Sequence, residues 1–220
     1  MMELLERLAE CIETGKADEA TSFLPEQRGQ KGASELTMEA LDLGFSPGEI
    51  LSEALIIGMN RIGDKFSSGK AFIPNLLISA KAMKAAMIHL EPFFKTGEAQ
   101  YKGTFVLGTV QGDLHDIGKN IVKMVLQGSG WNVIDLGTSV SADKFIKAVE
   151  ENDAKFMGMS ALLTTTMLNM DKISSELKSR FGDLKVFLGG APLSQQYCDK
   201  IGADGYFADP RSLVKYLETY

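Results

Sequence analysis

The chain has 220 residues, of which 45% are hydrophobic and 24% charged, with a net charge of -6 and a pI near 5.1. This composition is typical of a soluble globular protein, and its acidic balance argues against nucleic acid as a partner, because binding phosphates requires a basic face. Cys11 and Cys198 lack metal-ligand spacing, which predicts free thiols in a reducing compartment. The amphipathic amino terminus is unlike a signal peptide, and no apolar run approaches the ~20 residues of a membrane span. We therefore expect a cytoplasmic protein without a membrane partner.

Residues 1–93 show helical periodicity throughout, and the apolar positions of the first helix are Leu4, Leu5, Leu8 and Ile12. A second helix is predicted within 17–27, and a third runs through LTMEALDLG and ends at Gly44. The segment SPGEILSEALIIGMNRIGDKF has Ser46 as N-cap and Pro47 at the first helical position. IPNLLISAKAMKAAMIHLEPFF predicts a further long helix. We expect these helices to pack as a four-helix-type bundle.

Residues 94–103 are polar and are predicted to form a linker, and from residue 104 to 220 short apolar runs alternate with amphipathic helices. The predicted strands are TFVLGTV, WNVIDLG, KFMGMSAL, LKVFLGG and GYFA. The predicted helices are about 116–127, 142–152, 165–181, 193–201 and 210–217. This alternation predicts an α/β domain with a five-stranded parallel sheet of Rossmann or flavodoxin-like type. Its expected strand order is 2-1-3-4-5, with a ligand crevice at the carboxyl ends of strands one and three.

In that order, the loops after strands one, three and four border one crevice. The first loop holds His115, one of only two histidines, with Asp113 two residues before it, and strand four ends in Gly189-Gly190. The hydroxyls after strand three are those of Ser160, Thr164, Thr165 and Thr166. Singly, each feature has an ordinary explanation as a helix cap or a turn, and no GKS, GKT or GxGxxG follows strand one. Their convergence on one crevice predicts a ligand site.

Together these residues resemble the signature of cobalamin-binding domains, D-x-H-x-x-G, S-x-L and G-G. They are Asp113-x-His115-x-x-Gly118, Ser160-x-Leu162 and Gly189-Gly190, with 41 and 26 residues between successive blocks. The segment GMNRIGDKFSSGKAFIPNLLISAKAMKAAM resembles the helical cap of methionine synthase and of corrinoid proteins that serve methylamine, methanol and aryl-methyl-ether methyl transfer. The resemblance extends from about residue 30 to the carboxyl end. It implies a corrinoid protein of a multi-component methyltransferase system.

The resemblance also implies a role for each matching residue. His115 would be the lower axial ligand of cobalt, replacing the cofactor's own base, while Asp113 binds its other ring nitrogen and Thr166 continues that relay; these are the predicted catalytic residues. The predicted cofactor-binding residues at the sheet are Gly112, Asp113, Leu114, His115, Asp116, Ile117, Gly118, Ser160, Leu162, Thr164, Thr166, Gly189, Gly190 and Ala191. Those predicted to shield the upper face of the corrin are Met59, Phe66, Ile73 and Leu76, although apolar residues at helical spacing are usually core.

The implied cofactor is cobalamin, or a related corrinoid, with its cobalt. Cob(I)alamin would take a methyl group from a substrate-specific methyltransferase, and methylcobalamin would deliver it to a second methyltransferase with tetrahydrofolate or coenzyme M as acceptor. A reductive activase is a further implied partner. On this hypothesis the chain is a methyl shuttle rather than a complete catalyst, because the cofactor supplies the reactivity and the protein orients it.

Three other classes of protein compete with this hypothesis. A cobalamin-binding subunit of a radical mutase uses the same sheet but needs a barrel, and a cobalamin-sensing regulator needs a basic recognition helix. A receiver domain needs a lysine after strand five, which GYFADP lacks. Ser139 and Ser141 stand where relatives often carry acidic residues or proline, and no role follows from the pattern.

Overall fold

The structure is a computed structural model, and it describes residues 2–21, 29–97 and 100–220. The chain divides into two compact units. One comprises Met1–Tyr101 with Gly128–Gly130, and the other comprises Lys102–Gln127 with Trp131–Tyr220. Among the described residues, every helix is too short or too polar to traverse a bilayer.

The first unit is helical, as predicted. Its helices are α1 (Met2–Thr14), α2 (Ala33–Asp42), α3 (Pro47–Ile50), α4 (Ile56–Ser67) and α5 (Ile73–Thr96), with a π-helical turn at Leu51–Leu55. Because α3, the π-helical turn and α4 follow one another without a break, the described part of this unit has four continuous helical segments. The apolar stripe predicted for α1 is buried at Leu4, Leu5, Leu8 and Ile12. The helical amino-terminal part is therefore confirmed.

Some helix boundaries differ from the prediction, for local reasons. The described part of the predicted helix 17–27, residues 17–21, is not helical, and its remaining residues lie outside the described ranges. There, Lys16 Nζ donates to the carbonyl oxygens of Asp18 and Thr21, which fixes a turn in place of a helix. At the other end of the unit, α5 includes the first residues of the predicted linker and ends where Gly97 takes a left-handed φ of 82°.

The second unit contains the predicted parallel sheet. Its strands are β1 (Thr104–Thr109), β2 (Asn132–Asp135), β3 (Phe156–Ser160), β4 (Lys185–Gly189) and β5 (Gly205–Tyr206), in the order β2-β1-β3-β4-β5. Its helices are α6 (Ile117–Gly128), α7 (Ala142–Glu151), α8 (Thr164–Arg180), α9 (Gln195–Lys200) and α10 (Pro210–Leu217). The strand order is confirmed, and the pairing aligns Thr109 with Ser160 and Ser160 with Gly189. The ends of β1, β3 and β4 therefore lie side by side.

Alternate residues of each strand point to opposite faces of this sheet. On one face Val106, Met157 and Val186 join a buried core that also contains residues of α7, α8 and α9. On the other face the ring of Phe187 stacks at 6.1 Å from that of Phe105 and meets Tyr216 of α10 edge-on at 5.7 Å. Both faces are thus packed, which leaves the carboxyl edge of the strands for a ligand.

Candidate functional site

The loop after β1 is folded tightly against the end of that strand. Gly112 has a left-handed φ of 84°, which favours glycine, and the Asp113 amide donates to Val110 O at 3.1 Å. Thr109, the last residue of β1, donates its hydroxyl to His115 O at 3.0 Å. This turn directs the Asp113 side chain inward, where it is fully buried.

Asp113 and His115 form a direct pair. Oδ1 of Asp113 accepts from the backbone amide of His115 at 3.0 Å and from its ring Nδ1 at 2.8 Å. A carboxylate can only accept, so Nδ1 carries the proton of the neutral ring and Nε2 keeps its lone pair. The His115 side chain is 52% exposed. The arrangement therefore presents one imidazole nitrogen, in a fixed tautomer, at the carboxyl edge of the sheet.

The other oxygen of Asp113 binds the start of α8. It accepts from the amides of Leu162 at 2.8 Å and Leu163 at 3.3 Å, and from the hydroxyl of Thr166 at 2.7 Å. Thr166 Oγ1 also lies 3.0 Å from Leu163 O, but its single proton goes to the closer and charged carboxylate. The structure thus brings together Asp113, His115 and Thr166, which the resemblance had linked.

These contacts determine the ionisation of Asp113. Burial acts to raise the pKa of its carboxyl, but the hydrogen bonds from Leu162, Thr166 and His115 outweigh burial and hold that pKa well below its ordinary value. Asp113 is therefore a carboxylate throughout the neutral range. A buried carboxylate beside Nδ1 fixes the tautomer and the orientation of the ring, as it does for metal-ligating histidines.

Two further side chains, which the sequence analysis did not assign to the site, hold the same loop. Asn169 of α8 donates to Gln111 O at 2.8 Å. Ser139, in the loop after β2, accepts from the Gly112 amide through Oγ at 3.1 Å and donates its own amide to Asp113 O at 3.0 Å. Asn169 follows Thr166 by three residues and so shares its helix face, which is a usable signal. The spacing of Ser139 carried none.

The glycines of the signature differ in what surrounds them. A Cβ on Gly118 would meet nothing within 4 Å, and one on Gly189 would meet only Phe207 O, at 3.8 Å. Gly190 has a φ of 139°, and a Cβ there would collide with the carbonyl oxygen of Ala161. Gly190 is thus required by the fold itself, whereas Gly118 and Gly189 leave open space beside the backbone.

The remaining predicted positions of the sheet unit surround this space. Leu114 is 74% exposed, Ile117 71% and Leu162 45%. Exposure of three large apolar side chains near the same loop is unusual. Asp116 accepts from the Asn120 side chain at 2.9 Å as α6 begins. Thr164, the first residue of α8, and Ala191, after β4, are exposed. An apolar rim therefore flanks the exposed imidazole.

The positions predicted to shield a corrin lie on α4 and α5 of the helical unit. Met59 and Leu76 are buried, Phe66 is half-buried, and Ile73 is 41% exposed. Burial of Met59 and Leu76 agrees with an ordinary core role, whereas Ile73 presents apolar surface. The shielding role of these four residues stays a prediction.

A second carboxylate, that of the half-buried Asp135, ends β2. Its Oδ1 accepts from Lys119 Nζ at 2.7 Å and from the Gly137 amide at 3.0 Å, and its Oδ2 lies 3.0 Å from Lys123 Nζ. Burial acts to raise the pKa of Asp135, but the two lysines and the amide together outweigh burial, so the net shift of this pKa is downward. Within the described ranges, no cluster of three or more His, Cys, Asp or Glu residues could hold a metal ion.

Comparisons with known proteins match both parts of the chain. Residues 103–215 match a family model described as a B12 binding domain, and residues 4–91 match another model with the same description. Trimethylamine corrinoid protein 1 of Methanosarcina mazei is 39% identical over 190 residues, which cover 84% of this chain and 88% of that protein. A corrinoid protein of Desulfitobacterium hafniense is 37% identical over 211 residues, covering 94% and 92%.

A solved structure is similar along the whole chain. The methanol:cobalamin methyltransferase complex MtaBC of Methanosarcina barkeri contains a chain that is 28% identical, with a TM-score of 0.82. The similarity covers 99% of this chain and 79% of that one. Helical and sheet parts are therefore matched together, in the same order.

Proposed function

Because the chain belongs to the B12-binding corrinoid proteins of methyltransferase systems, we propose that it carries methyl groups on a cobalamin whose cobalt is bound by His115. Cobalamin is the cofactor of this family. The observation that carries the proposal is the Asp113–His115 pair, which fixes Nδ1 at 2.8 Å and leaves Nε2 of a half-exposed ring as the metal-binding atom.

The residues at this edge fit a corrin. The described residues offer a single histidine here and no cluster of metal ligands, so a cobalt bound by His115 must bring its other ligands with it, as it does in a macrocycle. The exposed apolar side chains of Leu114, Ile117 and Leu162 suit the apolar edge of such a ring. The open space beside Gly118 and Gly189 leaves room for the cofactor's nucleotide arm.

When bound, cobalamin supplies a cobalt that can accept a methyl group from one protein and release it to another. The chain's own residues bind and orient this group. Asp113 keeps the proton of His115 on Nδ1, so that Nε2 keeps the lone pair that would bind the metal. Thr166 and the amides of Leu162 and Leu163 keep Asp113 ionised. His115 would bind the cobalt in place of the cofactor's own base.

The relatives support one of the proposed partners. A methyltransferase partner is supported by the complex that contains the similar chain of Methanosarcina barkeri. We further propose a second methyltransferase, with tetrahydrofolate or coenzyme M as acceptor, and a reductive activase. Relatives that serve methylamines match both units, which favours a carrier over a mutase subunit or a regulator. In this account residues 1–93 cap the cofactor, 94–103 link the units, and 104–220 bind it.

Electron paramagnetic resonance of the cobalt(II) form tests the ligation. The protein is loaded with hydroxocobalamin, reduced by one electron, and prepared with histidine labelled with nitrogen-15. We expect a nitrogen coupling that changes with the label in the wild type and disappears in His115→Ala. The only other histidine, His89, bonds to Ser34 at 2.8 Å in the helical unit, so His89→Ala is the matched control and keeps the coupling. A nitrogen coupling that does not change when histidine is labelled would mean that the cofactor's own base is the ligand, and it would refute the proposal.

A further inference from the structure

We propose that Ser139 is a positioning residue for the bond between His115 and cobalt. It lies in the loop after β2, and it acts through the Gly112–Asp113 segment rather than by touching the cofactor. The inference rests on the proposed ligation by His115, and it adds a residue that the signature of the family does not contain.

The contacts of Ser139 reach both sides of the Gly112–Asp113 peptide bond. Its Oγ accepts from the Gly112 amide at 3.1 Å, and its own amide donates to Asp113 O at 3.0 Å. The residues around it continue this attachment, because Val140 donates to Thr109 O at 2.9 Å and Thr109 donates to Gly137 O at 3.0 Å. The loop after β2 is therefore hydrogen-bonded along the end of β1 and the turn that follows it.

The backbone of Ser139 explains why the side chain matters. Its φ of 52° lies in the left-handed region, where glycine and asparagine are favoured and serine is disfavoured. Glycine would adopt this conformation more easily, but it would leave the Gly112 amide without the acceptor that Oγ provides. The residue that is present thus combines an unfavourable conformation with a hydrogen bond to the histidine loop, which points to a role in that loop.

The geometry of Asp113 shows how this contact reaches the metal ligand. Its Oδ2 is held by α8, and its main chain is held by Ser139 and Val110. Its Oδ1 must reach Nδ1 of His115 from between these two attachments. If the bond from the Gly112 amide to Ser139 Oγ is lost, the Gly112–Asp113 peptide can rotate about the backbone bond that remains at Asp113 O, while Oδ2 stays with α8, and Oδ1 then moves away from Nδ1. His115 keeps its place in the loop but loses its fixed tautomer and orientation.

Three variants separate positioning from stability. Ser139→Gly removes the acceptor and relieves the left-handed backbone. Ser139→Asn also tolerates this backbone and supplies a side-chain carbonyl as a new acceptor. Ser141→Ala is the matched control, because Ser141 caps α7 by accepting from the Lys144 amide at 3.4 Å, and its loss lowers stability at a helix that follows the same loop.

Two readouts are compared with thermal unfolding. In the cobalamin-loaded protein, the ratio of histidine-bound to histidine-free cobalt(II) is measured by electron paramagnetic resonance at a pH where the wild type shows both forms. In the apoprotein, long-range proton–nitrogen correlation reports the tautomer of His115.

We expect Ser139→Gly to lower the ratio of histidine-bound to histidine-free cobalt(II) about fivefold, the change that corresponds to one hydrogen bond of ~1 kcal/mol, and to reduce the population of the Nδ1-protonated tautomer. Its melting temperature should stay level or rise, Ser139→Asn should restore both readouts, and Ser141→Ala should lower only the melting temperature.

The failures are distinguishable. An unchanged ratio and tautomer in Ser139→Gly would overturn the inference and leave the proposed function intact. A ratio that falls equally in Ser141→Ala would show that general destabilisation, and not positioning, sets the coordination. Absence of label-dependent coupling in the wild type would remove the proposed function, and the inference with it.

Discussion

Two carboxylates, those of the buried Asp113 and the half-buried Asp135, lie near the ends of adjacent strands, and the protein keeps them ionised in different ways. Asp135 of β2 is held by two ammonium groups, those of Lys119 and Lys123. Asp113, after β1, is held by the amides of Leu162 and Leu163, the Thr166 hydroxyl and His115. Both have a lowered pKa, although burial alone would raise it.

The difference lies in what happens to the charge. The lysines cancel the charge of Asp135, and the resulting ion pairs fasten α6 to the edge of the sheet. The amides and the hydroxyl that bind Asp113 are neutral donors, so they stabilise its charge without cancelling it. That charge acts on the imidazole of His115, which is the group proposed to bind cobalt. We infer that Asp135 is structural and that Asp113 tunes the ligand.

The largest expected effect separates these roles. In Asp135→Asn the Lys119 ammonium, whose side chain is 2% exposed, loses its carboxylate partner. A buried ammonium left without its counter-charge destabilises the fold strongly, so we expect the unfolding free energy to fall by about 3 kcal/mol in urea denaturation. The coordination of cobalt by His115 should persist. Lys123→Met is the control, because Lys123 is more exposed and its loss should cost less than about 1 kcal/mol. Loss of the histidine ligand in Asp135→Asn would break the comparison.

Sequence reasoning found the strand order and the Asp113–His115 pair because each depends on local pattern, namely alternating strands and helices and a two-residue spacing. The link to Thr166, 53 residues away, came from resemblance and not from spacing. Ser139 and Lys119 were missed for physical reasons. The left-handed backbone conformation of Ser139 cannot be predicted from the residue type. A lysine of an amphipathic helix is ordinarily expected at the surface, whereas Lys119 is buried by its contact with a residue of β2.

A smaller effect is expected at Asp113. An asparagine there has a single acceptor oxygen, so donors that faced one of the two carboxylate oxygens would now face an NH2 group. We expect Asp113→Asn to lower the unfolding free energy at neutral pH by about 2 kcal/mol, and to remove the histidine ligand in the cobalt(II) spectrum. A spectrum like that of the wild type would show that the charge does not act on His115.

The same variant alters the acid sensitivity of the apoprotein. Because the pKa of Asp113 is lowered in the folded state, its contribution to stability is complete above the unfolded carboxyl pKa of ~3.9 and is lost as the pH falls below it. Between about pH 5 and pH 3, Asp113→Asn should therefore lose about 1 kcal/mol less than the wild type. Urea denaturation at successive pH values measures this difference, and parallel profiles would contradict it.

The smallest effects concern Thr166, where a hydroxyl and a methyl group can be tested separately. Thr166→Val removes one donor to Asp113 and leaves the two amides, so we expect a loss of about 1 kcal/mol and a partial loss of histidine ligation. Thr166→Ser keeps the donor and removes only a methyl group from a side chain that is 7% exposed, which should cost roughly 0.5 kcal/mol and leave the ligation unchanged. The two variants thus move stability in the same direction but differ in the cobalt(II) spectrum. If serine also weakened the ligation, the methyl packing of Thr166 would matter as much as its hydrogen bond, and neutral donors alone would not explain how Asp113 is held.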